Sequence, residues 1–406
     1  MLHVNGPRLW DSLMTMATIG ATANGGVQRL ALSAEDFAAR AQLADWCHQA
    51  GMSVDSDAIG NLFARREGRN PQAAPVVMGS HLDSPPDGGR FDGSVGVLAA
   101  LEVVRSLNDA GITTARPLEI VVWTNQQGSR FAPAMLGSAV FAGLLSLASA
   151  QVVEDMYGVS LGTALSGHSG SLPLGRALDA YFELHIEQGP ILEQAGLDIG
   201  VVTGSQAICW LDATLEGQAA HAGTTPMALR KDALFAAASM VCQLERLAAD
   251  FQPGGMVTVG QLQIARAARN SVPGQLSFSI DLRHPDEDSM HALRSCCSDS
   301  LHAIARARGI GLTLRQRWYS PAVHFDDSCV AALREAGRQW GYRQQDMVSG
   351  AGHDAIHLAA QCPSAMLFIP CHQGISHHEA ENVSPEAVNK GANVLLHAVM
   401  QRSNRD

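Results

Sequence analysis

Three histidines and one aspartate have the residue types and spacing for metal chemistry: His81, Asp92, His185 and His377. His81 follows an apolar run at 74–79 (APVVMG), His185 closes a run at 180–186 (AYFELHI), and His377 lies beyond a run at 365–370 (AMLFIP). Asp92 ends a glycine-rich loop at 87–92 (DGGRFD). Apolar runs of this length read as buried strands, and open α/β sheets gather ligands at the carboxyl ends of their strands. Imidazole nitrogens and a carboxylate converging there form a donor set for zinc or manganese. Asp83, two residues past His81, is expected to turn its carboxylate to the second imidazole N–H and fix the tautomer. Any single histidine among 16 is more often ordinary surface or core, and Asp92 alone would make a helix N-cap. The joint placement is what points to a site.

The elements that must position these residues alternate between strand and helix. A helix over 33–52, capped by Ser33, precedes the 74–79 strand. A second helix carries the stripe Val97, Leu98, Leu101 and Val104. A strand over 118–123 (LEIVVW) delivers Asn125-Gln126-Gln127-Gly128 to the same edge. This order predicts an α/β fold, an open and mostly parallel sheet flanked by helices. Between these parts the pattern changes to strand 211–216, helix 231–249, strands 256–262 and 276–283, helix 286–309 and strand 312–318. That is a split-βαβ unit inserted into the sheet domain. The expected domains are 1–209 and 323–406, together catalytic, and 210–322, an inserted lid or dimerisation domain.

Bulk composition narrows the functional classes. The 406 residues are enough for two cores. A formal charge of −11 argues against the basic face that nucleic acid requires. No apolar stretch reaches the length of a membrane span, and the first residues lack the basic region of a signal peptide. The eight cysteines form no C-x-x-C pair and suit a cytoplasmic location, as buried small hydrophobes.

Taken together, several motifs make the sequence recognisable. They are Gly79-Ser80-His81-Leu82-Asp83-Ser84, Gly88-Gly89-Arg90-Phe91-Asp92-Gly93, His185-Ile186-Glu187-Gln188-Gly189-Pro190, 217–227 (GQAAHAGTTPM), 350–355 (GAGHDA) and Gly374-Ile375-Ser376-His377. The chain resembles the M20-type metal-dependent amidohydrolases, in the branch of N-carbamoyl-L-amino acid hydrolase, β-ureidopropionase and allantoate amidohydrolase. The resemblance implies two metal ions bridged by Asp92. One would also be held by His81 and His185, and the other by His377 and the second glutamate of an Asn-Glu-Glu-Gly motif. The first glutamate of that motif would be the general base. The resemblance further implies a homodimer through the inserted domain, with His221 reaching across the interface to polarise the scissile carbonyl. Asn270 and Arg283 would recognise a substrate carboxylate, Gln188 would contact the ureido group, and the Gly352 backbone N–H would face the ligand.

The sequence departs from that pattern where the chemistry is densest. Gln126 replaces the base and Gln127 replaces the metal ligand. A neutral amide accepts no proton near neutral pH and is a poor metal ligand beside a carboxylate. One firm metal site at His81, Asp92 and His185 is therefore expected, with the second weakened or empty. Loss of a positioned base typically removes about 10²–10⁴-fold in rate. The expected activity is hydrolysis of a linear ureido or amide bond in a small carboxylic acid. The alternative is a non-hydrolytic relative that binds such an acid or uses the pocket for another reaction. Glu187, Glu379, Glu381, His353 and His378 are the nearby groups open to an acid/base role; for His378 and Glu379, which depart from the branch's pattern, a drifted loop is the plainer reading. Cys209, where the branch has arginine, bears either on the domain junction or on the pocket.

Overall fold

The computed structural model describes residues 1–405. The chain forms two compact units, Ser205–Val323 and the remainder.

The first unit is built on a nine-stranded sheet. At its centre Val76–Ser80 lies between Leu118–Val122 and Ala180–Ile186, parallel to both, and Ala180–Ile186 pairs in parallel with Ser364–Ile369. All four strands are buried on both faces, which is why they read as unbroken apolar runs rather than alternating ones. Antiparallel strands widen the sheet: Leu62–Arg66 with Ser53–Ser56 beyond it on one side, and Ile199–Ser205 on the other. These margins were not among the expected elements. Ser53–Ser56 is polar and half-exposed and lacks the apolar signature of a buried strand.

Side chains alternate along Ala180–Ile186, and this alternation aims the site. Leu184 meets Gly391 of the helix Pro385–Ser403. Glu183, on the other face, accepts the Ala355 N–H at the start of the helix Asp354–Leu358. His185 shares that second face. The helix Ser94–Asp109 is buried almost all round, because it is held between the sheet and the helices Gly6–Met16 and Pro385–Ser403. Its expected stripe is thus only part of its contact surface. The helix near the N-terminus spans Ala34–Gln49, with the Ser33 side chain accepting from the Asp36 N–H as expected of a cap. Pro385–Ser403 begins with an equally legible signal, Ser384 as cap and proline in the first turn, although it is absent from the expected elements.

The second unit is a five-stranded antiparallel sheet with two helices on one face. Its long strands are Ala207–Glu216, Gln275–His284 and Gly311–Ser320, and its helices are Ala233–Asp250 and Glu287–Arg308. The expected strand over 256–262 is two short ones, Met256–Thr258 and Leu262–Ile264. Cys209 lies in this unit's hydrophobic core with Leu211, Leu282 and Cys297. Among the described residues no helix is long and apolar enough to cross a membrane.

Candidate functional site

His81 directly follows the strand Val76–Ser80 and is fully buried. Its Nδ1 lies 2.9 Å from the Asp83 backbone carbonyl, an acceptor only, so Nδ1 carries the proton and Nε2 offers a lone pair. The expectation that the Asp83 carboxylate does this is corrected: that carboxylate is 3.7 Å away. It instead accepts the N–H groups of Gln126 at 3.2 Å and Gln127 at 3.0 Å. Asp83 therefore fixes the turn that carries the two glutamines. His185, inside its strand rather than beyond it, repeats the tautomer device, with Nδ1 2.9 Å from the Ile186 carbonyl.

The lone pairs converge on Asp92, which is almost wholly buried. Its Oδ1 is 2.9 Å from His185 Nε2 and 3.6 Å from His81 Nε2, and its Oδ2 is 3.3 Å from the half-exposed His377 Nε2. His81 Nε2 and Asp92 Oδ1 are buried without a hydrogen bond. Ligating atoms of His81, Asp92 and His185 lie within 4.8 Å of one another. Two imidazole nitrogens and a carboxylate oxygen fit a divalent cation; His81 Nε2 and Asp92 Oδ1 are otherwise unsatisfied, while His185 Nε2 accepts the Gly93 N–H at 3.3 Å. Gly93 makes the arrangement possible: its φ is +66°, and a Cβ there would sit 2.5 Å from the His81 ring.

Both glutamines use amide hydrogens that a glutamate lacks. Gln127 Nε2 donates to Asp92 Oδ2 at 2.6 Å, and Gln126 Nε2 donates to the Gly352 carbonyl at 2.8 Å. Both partners are acceptors only, so the amide orientations follow from the partners. The Gln127 oxygen therefore does not face Asp92 as a ligand would. For Gly352, it is the carbonyl that is engaged.

Other sequence candidates sort by their partners. Glu187 accepts the N–H groups of Ile191 and Leu192, capping the helix Ile191–Ala195. Glu379 accepts from the Thr22 hydroxyl and the Asn24 amide, tying the 22–26 loop to the segment after His377. His378 Nδ1 accepts the Ala380 N–H. His353 is buried with its ring centroid 4.5 Å from that of His185, and neither ring nitrogen has a hydrogen bond. Burial holds it well below the ordinary histidine range. Glu381 accepts the N–H groups of Phe91 and Asp92; burial and the Asp92 charge push its carboxyl up to about 7. No spacing rule singles out Glu381 in the sequence.

In the second unit His221 pairs with Ser271 across a two-stranded ribbon, and the Ala222 N–H donates to the Asn270 carbonyl. His221 is exposed, and its Nδ1 accepts the N–H groups of Gly223 and Thr224 at 3.0 and 3.2 Å, so Nε2 carries the proton and is a donor. Arg283 makes a two-pronged pair with Asp281, two residues earlier on the same sheet face. Asn270 and Arg283, expected as a pair, lie at opposite ends of one stretch of chain. Asn270 precedes the strand Gln275–His284 and Arg283 lies near its far end, roughly 25 Å along an extended strand.

Residues 77–401 match the model of peptidase family M20/M25/M40. The chain is 43% identical to the N-carbamoyl-L-amino-acid amidohydrolase of Rhizobium meliloti over 98% of this chain and 97% of that one. It is 39% identical to the N-carbamoyl-L-amino acid amidohydrolase of Geobacillus stearothermophilus, over 98% of each. A crystal structure of a hydantoinase/carbamoylase family amidase from Burkholderia multivorans superposes with a TM-score of 0.97 at 50% identity, covering 100% of this chain and 99% of that one. The chain belongs to peptidase family M20/M25/M40. Its mostly parallel sheet and flanking helices are the architecture of these relatives.

Proposed function

We propose that this protein is an amidohydrolase that cleaves the linear C–N bond of an N-carbamoyl-amino-acid-like carboxylic acid, with one firmly held divalent ion, zinc or manganese. The observation that carries the reading is the buried His81–Asp92–His185 cluster, in a chain alike over nearly its whole length to N-carbamoyl-L-amino-acid amidohydrolases. An ion held by these three residues would supply Lewis acidity toward the scissile carbonyl. His221 offers a fixed Nε2–H donor for the oxygen on which charge develops. Arg283 has the planar fork that suits a carboxylate, and a substrate carboxylate would take the place now held by Asp281. Gln188 is the candidate for the ureido group and Asn270 for the carboxylate.

The placement of Asn270 before the strand Gln275–His284, with Arg283 near that strand's far end, supports a homodimer in which His221 and Asn270 serve the partner subunit's site. The Gln127 amide, seated on one oxygen of Asp92, supports a weakened second metal site. The eight free cysteines support a reducing, cytoplasmic setting.

A second reading is a pocket that binds such acids without hydrolysing them. It is favoured by the two glutamine amides, which leave no glutamate at the position of the base. Two measurements decide. Metal analysis of the purified chain should find one tightly bound divalent ion; two equally firm ions would remove the weakened-site argument. Zinc- or manganese-loaded protein should turn over at least one N-carbamoyl or N-acyl amino acid. Binding of these acids with no turnover of any would replace hydrolysis by the second reading.

A further inference from the structure

Four places along the chain bring ligand residues to the cluster, around His81, Asp92, His185 and His377, and one hydrogen-bonded path touches the last three. Glu381 is buried, and its Oε1 accepts the N–H groups of Phe91 and Asp92, each at 3.0 Å. Its Oε2 accepts the hydroxyl of Ser376, the neighbour of His377, at 3.0 Å. The Ser376 oxygen in turn accepts Gln188 Nε2, three residues beyond His185, at 3.0 Å. The 88–92 loop is shaped around this carboxylate: a Cβ on Gly89 would lie 2.2 Å from Glu381 Cδ and Oε1. Gln188 itself has a φ of +58°, an uncommon backbone setting for a side chain that must reach Ser376.

We propose that Glu381 is a positioning residue of the metal centre, which with Ser376 and Gln188 holds the segments bearing Asp92, His377 and His185 in register. Glu381 acts through the backbone of Asp92 and through a hydroxyl, and it does not touch the ligating atoms. Its task is supplied by acceptor geometry. One oxygen fixes two successive N–H groups and so sets the direction in which the Asp92 side chain leaves the loop. The other oxygen fixes the hydroxyl beside His377. A carboxylate has the lone pairs for all three donors. An amide in its place keeps one oxygen for the two N–H groups and loses the acceptor for Ser376.

The inference rests on the metal reading above, and cobalt(II) separates the two. The metal-stripped full chain is titrated with Co(II), following the visible absorption that reports coordination geometry together with the dissociation constant. The parent chain should bind Co(II). Glu381→Ala and the volume-keeping Glu381→Met should each bind about 10–100-fold more weakly, the range for loss of a supporting contact, with an altered absorption band. Glu381→Gln should recover most of the affinity through its remaining acceptor oxygen. A parent chain that binds no Co(II) overturns the metal reading and this inference with it. A folded Glu381→Met with the parent's affinity and band overturns the positioning role alone. So does a Glu381→Gln as weak as Glu381→Met, because hydrogen-bond geometry would then not be what Glu381 contributes.

Discussion

Restoring the two glutamates is the most informative perturbation of this site. In Gln127→Glu, the 2.6 Å donation to Asp92 Oδ2 is replaced by a contact between two acceptors. In Gln126→Glu, the 2.8 Å donation to the Gly352 carbonyl is replaced in the same way. A hydrogen bond to a charged group contributes about 1.5–3 kcal/mol, and a second carboxylate at contact adds repulsion to that loss. A divalent ion between the introduced carboxylate and Asp92 relieves both. At 1.4 kcal/mol per tenfold, relief of the lost bond alone tightens a second ion by roughly 10–100-fold. The double variant Gln126→Glu/Gln127→Glu should therefore bind two ions in calorimetric titration where the parent binds one firmly. With a carboxylate base in place, ureide hydrolysis should rise by about 10²–10⁴-fold. If the double variant still binds a single ion, or the parent already holds two of similar affinity, the argument from the amide hydrogens is wrong.

Three further outcomes follow from the same geometry. On the proposed homodimer, His221→Asn and His81→Ala should each be nearly inactive alone, and mixing them under subunit exchange should restore activity. No recovery on mixing would mean that His221 does not serve the partner subunit's site. Gly93→Ala should abolish tight metal binding, since its Cβ meets the His81 ring at 2.5 Å; normal ion content in the purified variant would refute this. Burial lowers His357 to about 4, below its unfolded value of 6.5. Between those values the unfolded chain binds a proton that the folded chain refuses. The contribution of His357 is therefore full above pH 6.5 and is lost as pH falls toward 4, on the order of 3 kcal/mol. His357→Gln should flatten the acid limb of denaturant stability over that window, and an unchanged limb would count against it.

Much of the candidate site was legible because its signals are local. His81, Asp92, His185 and His377 each sit in or beside a strand or loop motif that is readable one segment at a time, and His81, Asp92 and His185 do meet. The four central strands were legible for a related reason: burial on both faces demands an unbroken apolar run. The antiparallel margins were not, since a half-exposed strand such as Ser53–Ser56 is specified by its neighbour in the sheet more than by its own residues. Glu381 was only one acid among several near the cluster until its backbone partners, some 290 positions away, were known.

By itself, the sequence determined the α/β class, the inserted split-βαβ pattern, which residues are candidates for ligation and the presence of glutamine at positions 126 and 127. Tertiary structure alone decided what those residues are bonded to. The carbonyl of Asp83, rather than its carboxylate, sets the His81 tautomer, and Arg283 is engaged with Asp281. The glutamine amides donate to Asp92 and Gly352. Residue type states which hydrogen bonds a side chain is able to make; which of them it does make depends on distances of about 3 Å between atoms far apart in the chain, and only the folded backbone sets those.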